Sequence, residues 1–129
     1  MTALERIRAI VDESTTWTVT SLDQLRSVMG SVANLPAPTM LFLEDDGGAT
    51  LVVGLGAPET VLCFVEPDGT SFHSVGDLSR TGTIVFSCRS QPDEFPKEMA
   101  VPTSVGIHAA ESFFENRAKP GNVSWEADW

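Results

Sequence analysis

The sequence predicts an α+β fold, an antiparallel β-sheet meander covered by two α-helices in a single domain. Three observations predict it. Short runs rich in β-branched and aromatic residues recur through the middle of the chain, separated by Gly-, Pro- and Asp-bearing turns. Two segments repeat apolar residues at helical spacing. Residues 83–125 read in order as a strand, a polar loop, a helix and a closing strand, which lays a helix back across a sheet. A chain of 129 residues buries roughly two-thirds of its unfolded surface, enough for one core.

Leu4, Ile7, Ile10 and Val11 fall at helical spacing. Ile10-Val11 equally suits an edge strand turning through Glu13-Ser14-Thr15 into Trp17-Thr18-Val19-Thr20, a β-branched and aromatic run. Ser21-Leu22-Asp23-Gln24 is a capping box, a hydroxyl at the N-cap with an amide three residues on. The helix behind it carries Leu22, Leu25, Val28, Met29 and Val32 on one face and ends at Asn34-Leu35-Pro36-Ala37-Pro38. Met40-Leu41-Phe42-Leu43 is a buried strand, Asp45-Asp46-Gly47-Gly48 a turn, and residues 50–55 the returning partner. After Gly56-Ala57-Pro58-Glu59 come the strand 61–65, the turn Pro67-Asp68-Gly69 and a weaker strand 71–75. Turns at Gly76-Asp77 and Arg80-Thr81-Gly82 precede the apolar strand 83–88, and residues 89–94 read as a polar loop. Phe95-Pro96 and Val101-Pro102 punctuate the approach to a second helix, capped by Thr103 or Ser104 and running to about Asn116. Its apolar stripe is Val105, Ala109 and Phe113 with Gly106, Ala110 and Phe114, which should insert both phenylalanines in the core. Lys119-Pro120-Gly121 stops it, and Val123-Ser124-Trp125 closes the sheet.

The net charge is −10, and residues 40–98 hold ten acids against three bases, a net of −7. A surface this acidic repels nucleic acid and favours a basic partner. The first residues offer no apolar leader and no stretch approaches the roughly 18–20 apolar residues of a membrane helix. The expectation is a cytoplasmic protein without membrane contact. Cys63 and Cys88, each inside an apolar run, read as buried free thiols, although a disulfide between neighbouring strands is conceivable.

Chemistry is sparse. Gly54-Leu55-Gly56 lacks the third glycine, the helix and the lysine of a phosphate loop, and reads as hairpin glycine. His73 and His108 share no metal-ligand spacing, and the cysteines have no CxxC company. Ser87 and Ser90 belong to no nucleophile elbow. Asp93 and Glu94 are adjacent, so they point apart rather than together as an acid–base pair. Basic-aromatic interleaving is missing. Neither an enzyme nor a metal, cofactor or nucleic-acid binder is expected.

Several motifs, in order, resemble immunity-protein family one of the bacterial polymorphic-toxin systems. They are Leu51-Val52-Val53-Gly54, Gly69 in a strand-turn, Ser74-Val75-Gly76, and Gly82 before an aromatic strand. Glu94-Phe95-Pro96, Val101-Pro102, the Ala109-Ala110…Phe113 helix, Pro120 and Val123-Ser124-Trp125-Glu126 follow. Residues 17–32 are similar to the family's opening strand-helix, which implies a first strand over residues 6–12. The loops Arg89-Ser90-Gln91-Pro92-Asp93 and Asn116-Arg117-Ala118-Lys119-Pro120 depart from the family pattern. The resemblance implies a non-catalytic inhibitor of a cognate toxin encoded nearby, a basic nucleic-acid deaminase or nuclease whose active site it blocks with an acidic surface. The candidate toxin-binding residues are the turn acids Glu44, Asp45 and Asp46, then Glu66 and Asp68, Asp77, Asp93 and Glu94. Phe95 joins them as an apolar anchor or a core plug, Trp125 is expected in the core, and Trp129 exposed for partner contact. Reversing Asp45 and Asp46 to Lys should leave folding unchanged and slow toxin association. The alternative is a small-ligand-binding or accessory domain working through the concave sheet face, or an adaptor.

Overall fold

A computed structural model describes residues 6–128; Leu4 and Trp129, named above, lie outside them. The first hairpin joins β1 (Ile7–Asp12) to β2 (Thr15–Val19), with Ile7 opposite Val19 and Asp12 opposite Thr15. The helical spacing of Ile7, Ile10 and Val11 therefore belongs to a strand, as the family resemblance implied. β1 lies between β2 and β3 (Thr39–Asp45). Ile7, Ala9 and Val11 are buried toward one face and Ile10, opposite Phe42, on the other. Burial on both faces hides the period-two alternation that marks a half-exposed strand.

Helix α1 (Leu22–Ala33) starts at Ser21, whose hydroxyl accepts the Gln24 N–H at 3.1 Å. The Gln24 side-chain carbonyl accepts the Thr20 N–H at 2.6 Å, one residue before the cap, so the box closes slightly wider than its standard form. Leu25, Val28, Met29 and Val32 are buried.

The chain continues through β4 (Thr50–Leu55), β5 (Glu59–Thr60), β6 (Leu62–Val65) and β7 (Ser71–Val75). It then forms β8 (Thr83–Cys88), β9 (Gln91–Pro96), a 3₁₀ turn at Lys97–Met99, β10 (Val101–Pro102), α2 (Thr103–Asn116) and β11 (Ser124–Ala127). The main sheet runs β11-β7-β6-β4-β3-β1-β2, and β5 pairs separately with β10. β3, β4, β6 and β7 form the middle of the sheet, with the β1–β2 hairpin at one edge and the last strand at the other.

Two features differ from the sequence expectation. Residues 89–94 are not a loop: Arg89 (φ 50°) and Ser90 (φ 71°) make a two-residue turn between β8 and β9. Two successive left-handed residues match the twist of a hairpin, here without the glycine or asparagine that normally announces it. This hairpin attaches to β3 through one parallel pair, Thr39 with Ser87, and the Ser87 N–H bonds the Pro38 carbonyl at 2.8 Å. Secondly, neither Thr103 nor Ser104 caps α2, whose N-cap is Pro102 with no side-chain bond. The Thr103 hydroxyl instead donates to the Ala57 carbonyl at 2.6 Å, pinning the helix to the loop before β5.

Both helices pack into one buried cluster with one face of the sheet. Leu25, Val28 and Met29 of α1 and Ala109, Ala110 and Phe113 of α2 share it with Leu41, Leu51, Val53 and Phe64. Phe64 meets Phe113 edge-on at 6.0 Å, and Trp125 joins them. Phe114 stays half-buried at the margin. A Cβ at Gly106 would stand 2.7 Å from the Thr60 methyl, so glycine there sets how closely α2 approaches. On the opposite face β8 drives Phe86 against Gly54, where a Cβ would meet the ring at 2.5 Å. Phe95 closes over Phe86 edge-on at 6.3 Å, beside Met40, Val52 and Met99. The first glycine of Gly54-Leu55-Gly56 thus receives a ring inside a strand, and the second turns the chain at φ 99°.

Candidate functional site

The nine predicted contact residues fall in different places. Glu44, Asp45 and Asp46 close the β3–β4 end, and each faces an arginine: Arg8 at 2.8 Å, Arg117 at 2.7 Å and Arg6 at 3.8 Å respectively. The Arg117–Asp45 pair is the most enclosed, both side chains being 15% exposed. Arg117 also donates to the Phe114 and Arg6 carbonyls. The acids and the arginines facing them lie up to 72 residues apart, beyond what local patterning reveals. The turn is a structural clasp before it is a contact surface.

Glu66 and Asp68 sit on the next turn of the same sheet end, where Gly48 packs against Pro67. The Thr70 N–H bonds the Asp68 carboxylate at 2.9 Å and holds its pKa below the usual carboxylate range. Asp77 lies beyond β7, at the other end of that strand, and accepts from the hydroxyl and N–H of Ser79, which depress its pKa too. Asp93 and Glu94 are exposed on β9. Among the described residues Glu66, Asp68, Asp77, Asp93 and Glu94 have no arginine or lysine at ion-pair distance. Arg80 is engaged by Glu59 at 2.5 and 3.1 Å, and Arg89 lies over the Phe42 ring at 4.4 Å. The bases of the middle segment are therefore partly used up, and these five acids together with Glu98 stand outside any ion pair among the described residues. Phe95, half-buried, packs edge-on against Phe86.

One constellation has the residue types of a nucleophilic site. Cys63 on β6 stands opposite His73 on β7, and His73 Nδ1 meets the Asp128 carboxylate at 2.5 Å. However, His73 Nε2 faces Glu126 at 3.2 Å. Burial raises the Cys63 thiol to about 11, whereas an attacking cysteine needs a lowered pKa. The Asp128 carboxylate is held low first by His73 and then by Ser71. The cluster fastens β11 to β7 and has no activated nucleophile. Cys63 and Cys88 are both free thiols. Among the described residues no group of His, Cys, Asp or Glu is arranged to hold a metal ion, and no helix is long and apolar enough to cross a membrane.

A groove of about 670 Å³ lies between the two helices, floored by Leu55, Gly56 and Ala57 and walled by Met29, Ala33 and Ile107. Arg26 and Glu111 pair across it at 2.9 Å. Nothing in the linear sequence signalled it, because it arises where two separately predicted helices diverge.

The family model described as Immunity protein Imm1 matches residues 13–127. No curated protein matches the chain.

Proposed function

The chain belongs to the Imm1 immunity-protein family, and from that premise we propose that it is a non-catalytic, single-domain inhibitor of a cognate toxin. The match over residues 13–127 carries the reading. The toxin is read as a basic nucleic-acid deaminase or nuclease, met in the cytoplasm and blocked at its active site. An enzyme that attracts phosphates presents a cationic mouth, and the −7 of residues 40–98 complements it, speeding encounter by steering. With Glu44, Asp45 and Asp46 already matched to arginines, Glu66, Asp68, Asp77, Asp93 and Glu94 are the predicted contact acids left for that task. Rim acids of this kind act mainly on association rate; an acid buried against a toxin arginine or lysine would cost about 2–5 kcal/mol to remove.

The test is co-purification with the product of the adjacent gene, followed by assay of that product's activity. A tight complex with lost activity supports the reading, and a folded protein that ignores its neighbour sinks it. The inter-helix groove favours one second reading, a small-ligand-binding domain, because largely apolar concavities of this size suit such ligands. That reading demands a thermal shift with a small molecule alone.

A further inference from the structure

The main sheet has edges of unequal character, and the pattern of main-chain bonds tells which is available. Across the β3–β4 turn Asp45 donates to the Ala49 carbonyl at 2.9 Å and accepts from the Gly48 N–H, so its main-chain groups face β4. Alternation along an antiparallel ladder then turns Glu44 and Phe42 toward β1, where they face Arg8 and Ile10. Ile7 and Ala9 are left to bond Val19 and Trp17 of β2. Thr16 and Thr18, both exposed, therefore direct their N–H and C=O groups away from the sheet. The next outward N–H, of Thr20, is already taken by the Gln24 side chain at 2.6 Å.

Of the remaining edges, β8 is tied only at Ser87, whose N–H bonds the Pro38 carbonyl at 2.8 Å, while those of β9 and β11 are guarded. On β9 the closing pair Cys88–Gln91 turns Pro92, Glu94 and Pro96 outward. Two of these have no N–H, and the third is bonded to the Asp93 carboxylate at 3.0 Å. Proline and charge at an edge are the usual defences against added strands. β11 is four residues long and carries Glu126. β2, with the sequence Thr-Thr-Trp-Thr-Val, has neither proline nor charge.

We propose that β2 is the edge to which the toxin adds a strand of its own. The proposal rests on the immunity reading and specifies where the partner engages. Beside the edge lies a side-chain-sized pocket of about 200 Å³, lined by Trp17, Thr18, Gln24, Ser27, Val28 and Ser31. Strand addition takes its affinity from main-chain bonds and its selectivity from such pockets. Asp12 and Glu13 stand at one end of β2 and Asp23 just beyond the other. Asp23 already faces Arg26 at 3.6 Å, so Asp12 and Glu13 are the acids left at this edge, and they attract a strand carrying lysine or arginine at that end. The occupant is therefore an extended segment of the basic toxin.

Amide hydrogen exchange on the free protein and on its complex with the adjacent gene's toxin domain, catalytically inactivated, tests this directly. Thr16 and Thr18 amides should exchange at least about tenfold more slowly in the complex, while Trp17 and Val19 are slow in both states. Thr16→Pro should fold, since proline is tolerated where the N–H faces solvent. It should weaken binding about tenfold, the effect of one lost main-chain bond. A wild-type complex that forms and inhibits while Thr16 and Thr18 exchange as in the free protein overturns the proposal and leaves the immunity reading intact. Protection that grows with concentration in the absence of toxin overturns it in favour of a second copy. Absence of any wild-type complex overturns the immunity reading and this docking site with it.

Discussion

The Asp45–Arg117 pair allows a prediction that runs against the sequence expectation of harmless charge reversal. Exposed ion pairs contribute about 0–1 kcal/mol, and removing one partner of a fully buried pair costs about 3–5 kcal/mol. At 15% exposure on both sides, losing the pair falls between these limits, at about 2 kcal/mol. Asp45→Lys also sets a cation against Arg117 and removes the carboxylate that accepts the Gly47 N–H at 3.0 Å. The total is about 3 kcal/mol, a fall in melting temperature of roughly 10 °C for a chain of this size. Asp46→Lys disturbs only a 3.8 Å pair whose members are more than half exposed, so it should cost under about 0.5 kcal/mol. Urea unfolding followed by tryptophan fluorescence separates the two variants, with an unchanged m-value identifying a true loss of stability. A double-mutant cycle with Asp45→Ala and Arg117→Ala should return a coupling of about 1–2 kcal/mol. Equal stability of Asp45→Lys and the wild type would refute the clasp.

Three further outcomes follow from the geometry. Gly54→Ala should destabilise by about 1–3 kcal/mol, because its methyl would stand 2.5 Å from the Phe86 ring; pairing it with Phe86→Leu should recover part of the loss in thermal melts. Hydrogen bonds hold Asp68, Asp77 and Asp128 below the ordinary carboxylate range, so the unfolded chain takes up their protons first on acidification. Their contribution is complete above the unfolded value and disappears as pH falls through the lower folded values. Asp128→Asn should flatten the stability–pH slope in that acid window, and an unaltered slope would remove Asp128 from the account. Reversing Glu66 and Asp68 to Lys should slow toxin association about tenfold at low salt with little change in dissociation; an on-rate and salt slope like the wild type's would take that turn out of the interface.

The parts of the fold legible in advance are those whose reasons are local. α1 announced itself through Ser21 and Gln24, and the β3–β4 and β6–β7 turns through Gly48 and Gly69, both at positive φ. β9 escaped notice because Gln-Pro-Asp-Glu reads as a loop, and its prolines are permitted only because they face away from β8. Arg89 and Ser90 adopt a glycine-like turn without glycine, so no residue type signalled the hairpin. The family and the acidic middle segment were readable from motif order and composition. Which acids are free was not, since that depends on Arg6, Arg8 and Arg117 arriving from distant parts of the chain. The Thr103 hydroxyl shows the same limit, its partner Ala57 being 46 residues away.

The attachment of the β8–β9 hairpin has a consequence for the order in which the molecule comes apart. One ladder pair, the Ser87–Pro38 bond, Arg89 over Phe42 and the rings of Phe86 and Phe95 join it to the rest of the fold, whereas β1, β3, β4 and β6 are held by ladders on both sides. Cooperative units with few ties to their neighbours open at a fraction of the global unfolding free energy. The hairpin is thus the fold's most detachable leaf. Lifting it uncovers the rear of the sheet, with Met40, Val52 and Cys63, while the helix-facing core stays shut. Sticky intermediates and thiol oxidation would start from that leaf, well before the helices begin to melt.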